Sequence, residues 1–268
     1  MEVYLGILII SLIFIVFYIH YRSQEKMRKL RQKRLKIPRI IHQTYKSNDL
    51  HADLRENVRV LRERNPNYEY RFYSDDDIVE FIQMNYPSDI LATYQMINPE
   101  YGPARADYFR YLLMYKVGGV YLDIKSNCEK SFDEIINEED EIILTHWKDR
   151  WGYDTLHNDY GEYCQWVMMN VPGHPLLKRV IDEVSQNIRS YTIQKGVGKW
   201  AVLALTGPWA YYRAIHPDIH NHKVRLSLSH TDLDLTYNNC PQKHEDIFKH
   251  HYTKLKTPLA GSKYLGLI

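Results

Sequence analysis

Ala104-Arg105-Ala106-Asp107-Tyr108-Phe109-Arg110-Tyr111, followed shortly by Gly118-Gly119-Val120-Tyr121-Leu122-Asp123-Ile124-Lys125-Ser126, decides the fold. The first part belongs to a helix-period segment running from Pro103 to Tyr115. The glycine pair stops that helix, because its C-terminal turn needs a residue that tolerates positive φ. Val120, Tyr121 and Leu122 then read as a short buried strand ending on Asp123. A carboxylate at the end of a core strand lies where open α/β sheets bind ligands. On the helix, Asp107 and Arg110 are three residues apart and share a face, opposite Tyr108, Leu112 and Tyr115. They form either a plain intrahelical ion pair or part of a site built with Asp123.

Outward from this centre, strands and helices alternate. Ile40-Ile41 opens a buried strand after Pro38. Leu54, Val58 and Leu61 follow at helical spacing until Asn65-Pro66 breaks the helix. Tyr68 to Tyr73 alternates as a strand, and Ser74 caps the next helix ahead of Asp75-Asp76-Asp77. Those three acids suit a helix start better than a cation site. Glu141 to Thr145 is a further strand, and Pro175 fits the first turn of a helix from Leu176 to Asn187. This order predicts an α/β domain with a mostly parallel sheet flanked by helices. The chain of 268 residues, 44% hydrophobic and 25% charged, has room for one such domain.

The ends of the chain carry a different signal. Residues Val3 to Ile19 are almost unbroken apolar, near the short end of what spans a bilayer. Basic residues before the run and a small-residue cleavage site after it are both missing, so the run reads as an uncleaved transmembrane helix. From Arg22 to Lys36 there are eight basic residues and one acid, Glu25, a composition that attracts anionic lipid and stays cytoplasmic. The expected organisation is a membrane anchor over 1–20, a basic linker over 21–37 and one domain over 38–268. Residues 1–37 hold eight basic and two acidic side chains, six of net positive charge, so the overall +2 leaves the remainder at about −4. Such a domain is a poor nucleic-acid binder. Its three cysteines, Cys128, Cys164 and Cys240, are too few and too scattered for a disulfide framework or a metal cluster.

In combination and in order, these segments resemble the DXD-type nucleotide-sugar transferases of glycosyltransferase family 32, which includes yeast outer-chain mannosyltransferases and capsular-polysaccharide enzymes. The resemblance covers roughly residues 37 to 252. Besides the central stretch it rests on Ile37-Pro38-Arg39-Ile40-Ile41-His42-Gln43-Thr44-Tyr45, on Glu162 to Trp166 with Gly173-His174-Pro175, on Thr206-Gly207-Pro208, and on His250-His251. It implies a GT-A fold, a Rossmann-like sandwich that binds a nucleotide sugar and transfers the sugar to a glycan or glycolipid acceptor with retention of configuration. It further implies Asp123, Lys125, Asp107 and Arg110 as catalytic groups. The implied donor-binding set is His42, Gln43, Tyr45, Glu162, Gln165, Thr206 and Gly207. A divalent metal, Mn²⁺ or Mg²⁺, would be held by Asp123 with one of His250 and His251.

The chain departs from the family where the second aspartate of DXD should stand: it has Asp123-Ile124-Lys125. On an extended strand Lys125 would share a face with Asp123. A lysine there can meet charge on a leaving diphosphate, or it can mark a silent glycan-binding scaffold that has lost the metal chemistry. The family's eukaryotic members also imply a Golgi or endoplasmic-reticulum lumen, against the cytoplasmic side given by the charge rule and weakly favoured by the lack of any Asn-x-Ser/Thr sequon.

Overall fold

The computed structural model describes residues 2–147, 162–240 and 252–265, with side chains described over 11–26 and from 33 onward within those ranges. The elements in order are α1 (Glu2–Gln32), β1 (Ile40–Thr44), α2 (Ala52–Arg64), β2 (Glu69–Tyr73), α3 (Asp75–Asn85), α4 (Ser88–Gln95), α5 (Gly102–Val117) and β3 (Gly119–Leu122). There follow β4 (Asn127–Cys128), α6 (Phe132–Ile135), β5 (Ile142–His146), β6 (Val167–Asn170), α7 (Pro175–Arg189), α8 (Gly198–Leu205), α9 (Pro208–Ile215), β7 (Val224–Leu228) and β8 (Leu235–Thr236).

Six strands make one sheet in the order β2-β1-β3-β6-β5-β7. The pairs β1–β2, β1–β3 and β5–β7 are parallel, while β6 runs antiparallel between β3 and β5. The mostly parallel sheet is therefore a mixed one, split by a single reversed strand. Alternation along each strand sends side chains to two cores. Tyr121, Ile142, Leu144 and Met168 pack with α5, α7, α8 and α9. Val120, Leu122, Ile143 and Met169 pack with Ile41, Leu61 and Phe132.

Local devices match the sequence. Ser74 caps α3 in a full capping box with Asp77, and Pro175 and Pro208 stand in the first turns of α7 and α9. Gly118 ends α5 at φ 66°, and Gly119 follows at φ 101°. The corner is also crowded: a Cβ on Gly118 would come 2.6 Å from Pro172 N, and one on Gly119 would come 2.6 Å from the Ile40 carbonyl oxygen. Only glycine brings α5 this close to β1 and to the end of β6.

At the N-terminus one unbroken helix, α1, crosses the expected boundary between anchor and linker. Among the described residues no helix is long and apolar enough to cross a membrane. The side chains of residues 2–10, half of the apolar run, lie outside those described. From Leu12 to Tyr21 the apolar side chains of α1 are exposed. The basic linker is docked rather than loose. Lys26 pairs with Glu134 at 2.7 Å, Lys36 with Glu141 at 2.9 Å and Glu139 at 3.0 Å, and Lys33 Nζ donates to the Asp133 carbonyl at 3.1 Å. Arg39 joins from beyond the linker, 2.8 Å from the buried Asp133 carboxylate.

Candidate active site

The site forms where α5 and the end of β3 meet. Arg110 lies buried on α5 with its guanidinium 4.7 Å from the centre of the Tyr121 ring. Its Nη2 stands 3.1 Å from Asp123 Oδ1 and 3.5 Å from Asp107 Oδ1, and its Nη1 donates to the Gln165 carbonyl at 2.8 Å. The pair three apart on the helix is thus tied to the strand-end carboxylate. Burial pushes Asp107 up to about 6, against Arg110 and the Thr206 hydroxyl, which donates to Asp107 Oδ2 at 3.0 Å. Tyr111 extends the network: its hydroxyl lies between Gln165 Oε1 and the Thr206 carbonyl, 2.9 Å from the latter, while its ring stacks on Tyr211.

Asp123 is the most open member, with its side chain 24% exposed. Both Arg110 and the Tyr121 hydroxyl engage its Oδ1. Residues 123–126 are a turn, not the extended strand expected from the motif: Ser126 N donates back to the Asp123 carbonyl at 2.8 Å. Lys125 therefore does not alternate onto the face of Asp123. Its ammonium lies over the Tyr237 ring, 4.1 Å from the centroid, and donates to the Tyr237 hydroxyl at 3.0 Å. Burial lowers the Lys125 pKa, partly offset by Asp123.

The other residues singled out in the sequence fall into three groups. His42 is fully buried, its ring nitrogens 3.0 Å from the Gly118 carbonyl and 3.2 Å from the Tyr73 hydroxyl. Burial lowers its pKa to about 4, and its ring ties β1 to the glycine corner. Gln43, Thr206 and Gln165 brace the site. Gln43 Nε2 donates to the Asp123 carbonyl at 3.1 Å, and Thr206 is wholly buried against Asp107. Gly207 donates its N–H to the Val202 carbonyl at 2.7 Å. Tyr45 and Glu162 are partly exposed, Tyr45 packing against Leu54, Val58, Ile124 and Cys240. His250 and His251 lie outside the described residues.

Several residues escaped the sequence reading. Asn57 Nδ2 donates to the Ile124 carbonyl at 2.9 Å and the Ser126 carbonyl at 3.0 Å, and Asn239 N donates to the Lys125 carbonyl at 2.8 Å. Tyr237 receives Lys125, and its own carbonyl accepts from Ser126 Oγ at 2.7 Å. Asn57 gave a readable sign: it sits among Leu54, Val58 and Leu61 on the buried face of α2, where an amide needs partners. Tyr252 borders the cluster, its pKa raised by burial and by the charges of Asp107, Tyr237 and Asp123.

The donor set for a metal is thin. Among the described residues no group of three His, Cys, Asp or Glu side chains converges to hold an ion. Asp123 is the partly exposed carboxylate of this cluster, with the Arg110 guanidinium 3.1 Å away and the Lys125 ammonium close enough for its charge to be felt. Asp123 offers one oxygen ligand of the kind a divalent ion takes, and the other ligands expected from the motif, His250 and His251, lie outside the described residues.

Comparison with known proteins agrees with this geometry. Residues 51–142 match the family model described as "Glycosyltransferase sugar-binding region containing DXD motif". The chain is 37% identical over 183 residues to mannosyl phosphorylinositol ceramide synthase SUR1 of Saccharomyces cerevisiae, covering 66% of this chain and 43% of that protein. It is 29% identical over 188 residues to inositol phosphoceramide mannosyltransferase 3 of Schizosaccharomyces pombe, covering 68% and 47%. It is also 29% identical over 143 residues to the initiation-specific alpha-1,6-mannosyltransferase of Candida albicans, covering 47% and 36%. The chain thus spans about half the length, or less, of the curated relatives it matches. Among solved structures, the UDP-bound glycosyltransferase domain of the YGT toxin superposes with a TM-score of 0.52 at 8% identity, covering 71% of this chain and 79% of that one. That likeness establishes a glycosyltransferase fold, in keeping with a mixed sheet flanked by helices. The matched motif region and the mannosyl-transferring yeast relatives named above support a sugar transferase of the DXD-motif, glycosyltransferase family 32 type.

Proposed function

We propose that this protein is a membrane-anchored glycosyltransferase that moves a sugar, mannose by the company of its relatives, from a nucleotide-sugar donor to a glycan or glycolipid acceptor, with retention of configuration. The observation that carries this reading is Arg110 held between Asp107 and Asp123, with Asp123 partly exposed at the end of β3. Sugar departure places negative charge on a leaving diphosphate, and preorganised cations lower the barrier most where water is excluded. Lys125 is the buried ammonium next to this carboxylate. Arg110 acts through Asp123, fixing its orientation. Asp107 keeps Arg110 in place, and Thr206 and Gln165 keep Asp107. A divalent metal is common among DXD-type enzymes and would supply Lewis-acid stabilisation of the diphosphate. The described side chains alone do not make its site, so no step is drawn through it.

The anchor is supported by the continuous α1 and its exposed apolar side chains from Leu12 to Tyr21. The basic run after it favours a cytoplasmic domain, whereas the yeast relatives favour a lumenal one. Lys125 also supports a second reading, a catalytically silent glycan-binding scaffold. Hydrolysis of a panel of nucleotide sugars by the full chain, with and without Mn²⁺, separates the two. Turnover of one donor supports the transferase. Silence across the panel, with saturable glycan binding, establishes the scaffold.

A further inference from the structure

We propose that the surface formed by α8 and the segment 252–263 is a second lipid-contact site, docking the mouth of the active site onto an anionic bilayer. It deepens the glycolipid-acceptor reading given above. The ring of Trp200, on α8, is 61% exposed and lies 5.8 Å from the ring of Trp209, at the start of α9. Ile193, on the turn leading into α8, is 55% exposed. Large apolar side chains this exposed and grouped mark a contact surface, and tryptophan is the residue that favours the bilayer–water boundary.

Charge identifies the occupant. Gly198 lets the backbone of 252–257 lie against the start of α8, since a Cβ there would stand 2.9 Å from the Leu255 carbonyl oxygen and 3.1 Å from that of Thr253. The Tyr101 hydroxyl locks the contact, accepting from Gly198 N at 2.9 Å and donating to the Thr257 carbonyl at 2.7 Å. This approach brings the exposed Lys195 and Lys199 beside the exposed Lys254 and Lys256, with Lys263 further along. Across residues 191–206 and 252–265 there are five lysines and no acid. Among the described residues, Glu100 comes against this surface from another element and already accepts from Thr257 Oγ1 at 3.1 Å. In a domain whose own charge is about −4 by composition, this concentration of lysine around two tryptophans matches anionic headgroups over an apolar layer. The patch adjoins the chemistry: α8 ends on Thr206, bonded to Asp107, and Tyr252 borders the carboxylates. A lipid-borne acceptor would meet the site in the plane where its headgroup emerges.

The full chain, reconstituted into vesicles of phosphatidylcholine and phosphatidylserine with brominated acyl chains, tests this through tryptophan emission. The expected result is quenching in wild type that loses one component in Trp200→Phe. It should also weaken in Lys199→Glu/Lys256→Glu and with added salt, with circular dichroism unchanged. Equal fractional quenching in wild type and Trp200→Phe overturns the proposal. So does a response of the tryptophan pair to soluble oligosaccharide without lipid quenching, which would make the pair a glycan platform. No nucleotide sugar is needed, so a quenched but inactive chain refutes the transferase and leaves the lipid site standing.

Discussion

Replacing Arg110 by methionine should unsettle the site more than any other single change, and the amount can be reasoned from its partners. The guanidinium is buried, as is the Asp107 carboxylate that faces it at 3.5 Å, so removing the cation strands a charge with no route to water. Breaking a buried pair in this way costs about 3–5 kcal/mol. The Asp123 share is smaller, because that side chain is 24% exposed and solvent screens it. Burial already lifts Asp107 to about 6 with Arg110 present, and it should rise further without it. At pH 8 the variant then carries the full penalty. At pH 5 Asp107 is protonated in both proteins and needs no cation, so the penalty shrinks. Urea unfolding of the full chain in detergent at both pH values measures this, together with a cycle through Asp107→Asn, whose amide oxygen still accepts from Thr206. The double variant should recover about 1–3 kcal/mol over the sum of the single ones. A cost below about 1 kcal/mol for Arg110→Met at pH 8, or the same cost at pH 5, would falsify the buried triad.

Other consequences can be checked separately. Asp123→Ala should abolish donor turnover while leaving the unfolding midpoint nearly unchanged, since the side chain is partly exposed at a strand end; normal turnover sinks its assignment. Lys125→Asp should lower kcat and make any remaining transfer depend on Mn²⁺; a gain of Mn²⁺-dependent transfer from a silent wild type would instead show Lys125 to be a mark of decay. Gly118→Ala should destabilise by about 2–4 kcal/mol, because φ 66° and a Cβ 2.6 Å from Pro172 N cannot both be relieved; a loss under about 1 kcal/mol speaks against the crowded corner. His42 is depressed from 6.5 to about 4 by burial, so the unfolded chain binds its proton first and stability falls as pH drops from about 6.5 towards 4. His42→Gln should flatten that limb of the curve, and an unchanged slope excludes His42 as its source.

Much of this architecture was legible because the deciding signals were local. Gly118-Gly119 marked a helix stop, Ser74 ahead of three aspartates marked a helix start, and Asp123 marked a strand end. The reversal of β6 was not legible, since Val167–Asn170 is buried on both faces whichever way it runs. Strand periodicity misplaced Lys125, because the chain turns immediately after Leu122 and period-two alternation ends there. That Thr206 and His42 are buried, Thr206 against Asp107 and His42 against the glycine corner, was not legible, because motif resemblance records position in the chain, not the direction of a side chain. Tyr237 and Asn239 act on a turn more than a hundred residues away, a pairing that only the tertiary fold makes. Asn57 alone among the missed residues stood out by chemistry, as an amide on an apolar stripe.

The docking of α1 changes how the protein explores its surroundings. A transferase on a slack tether sweeps a hemisphere and meets acceptors at random heights and angles. Lys26 on α1, and Lys33 and Lys36 in the segment after it, pair with Glu134, the Asp133 carbonyl and the Glu139–Glu141 edge, so in the anchored arrangement proposed above the domain rides on α1 as a blade on a handle. Its orientation is then set by the tilt of one helix, and the acceptors it can serve are those whose reactive hydroxyl lies within a narrow band of altitude. Salt or acid, by loosening exposed ion pairs, would widen that band before touching the sugar site itself.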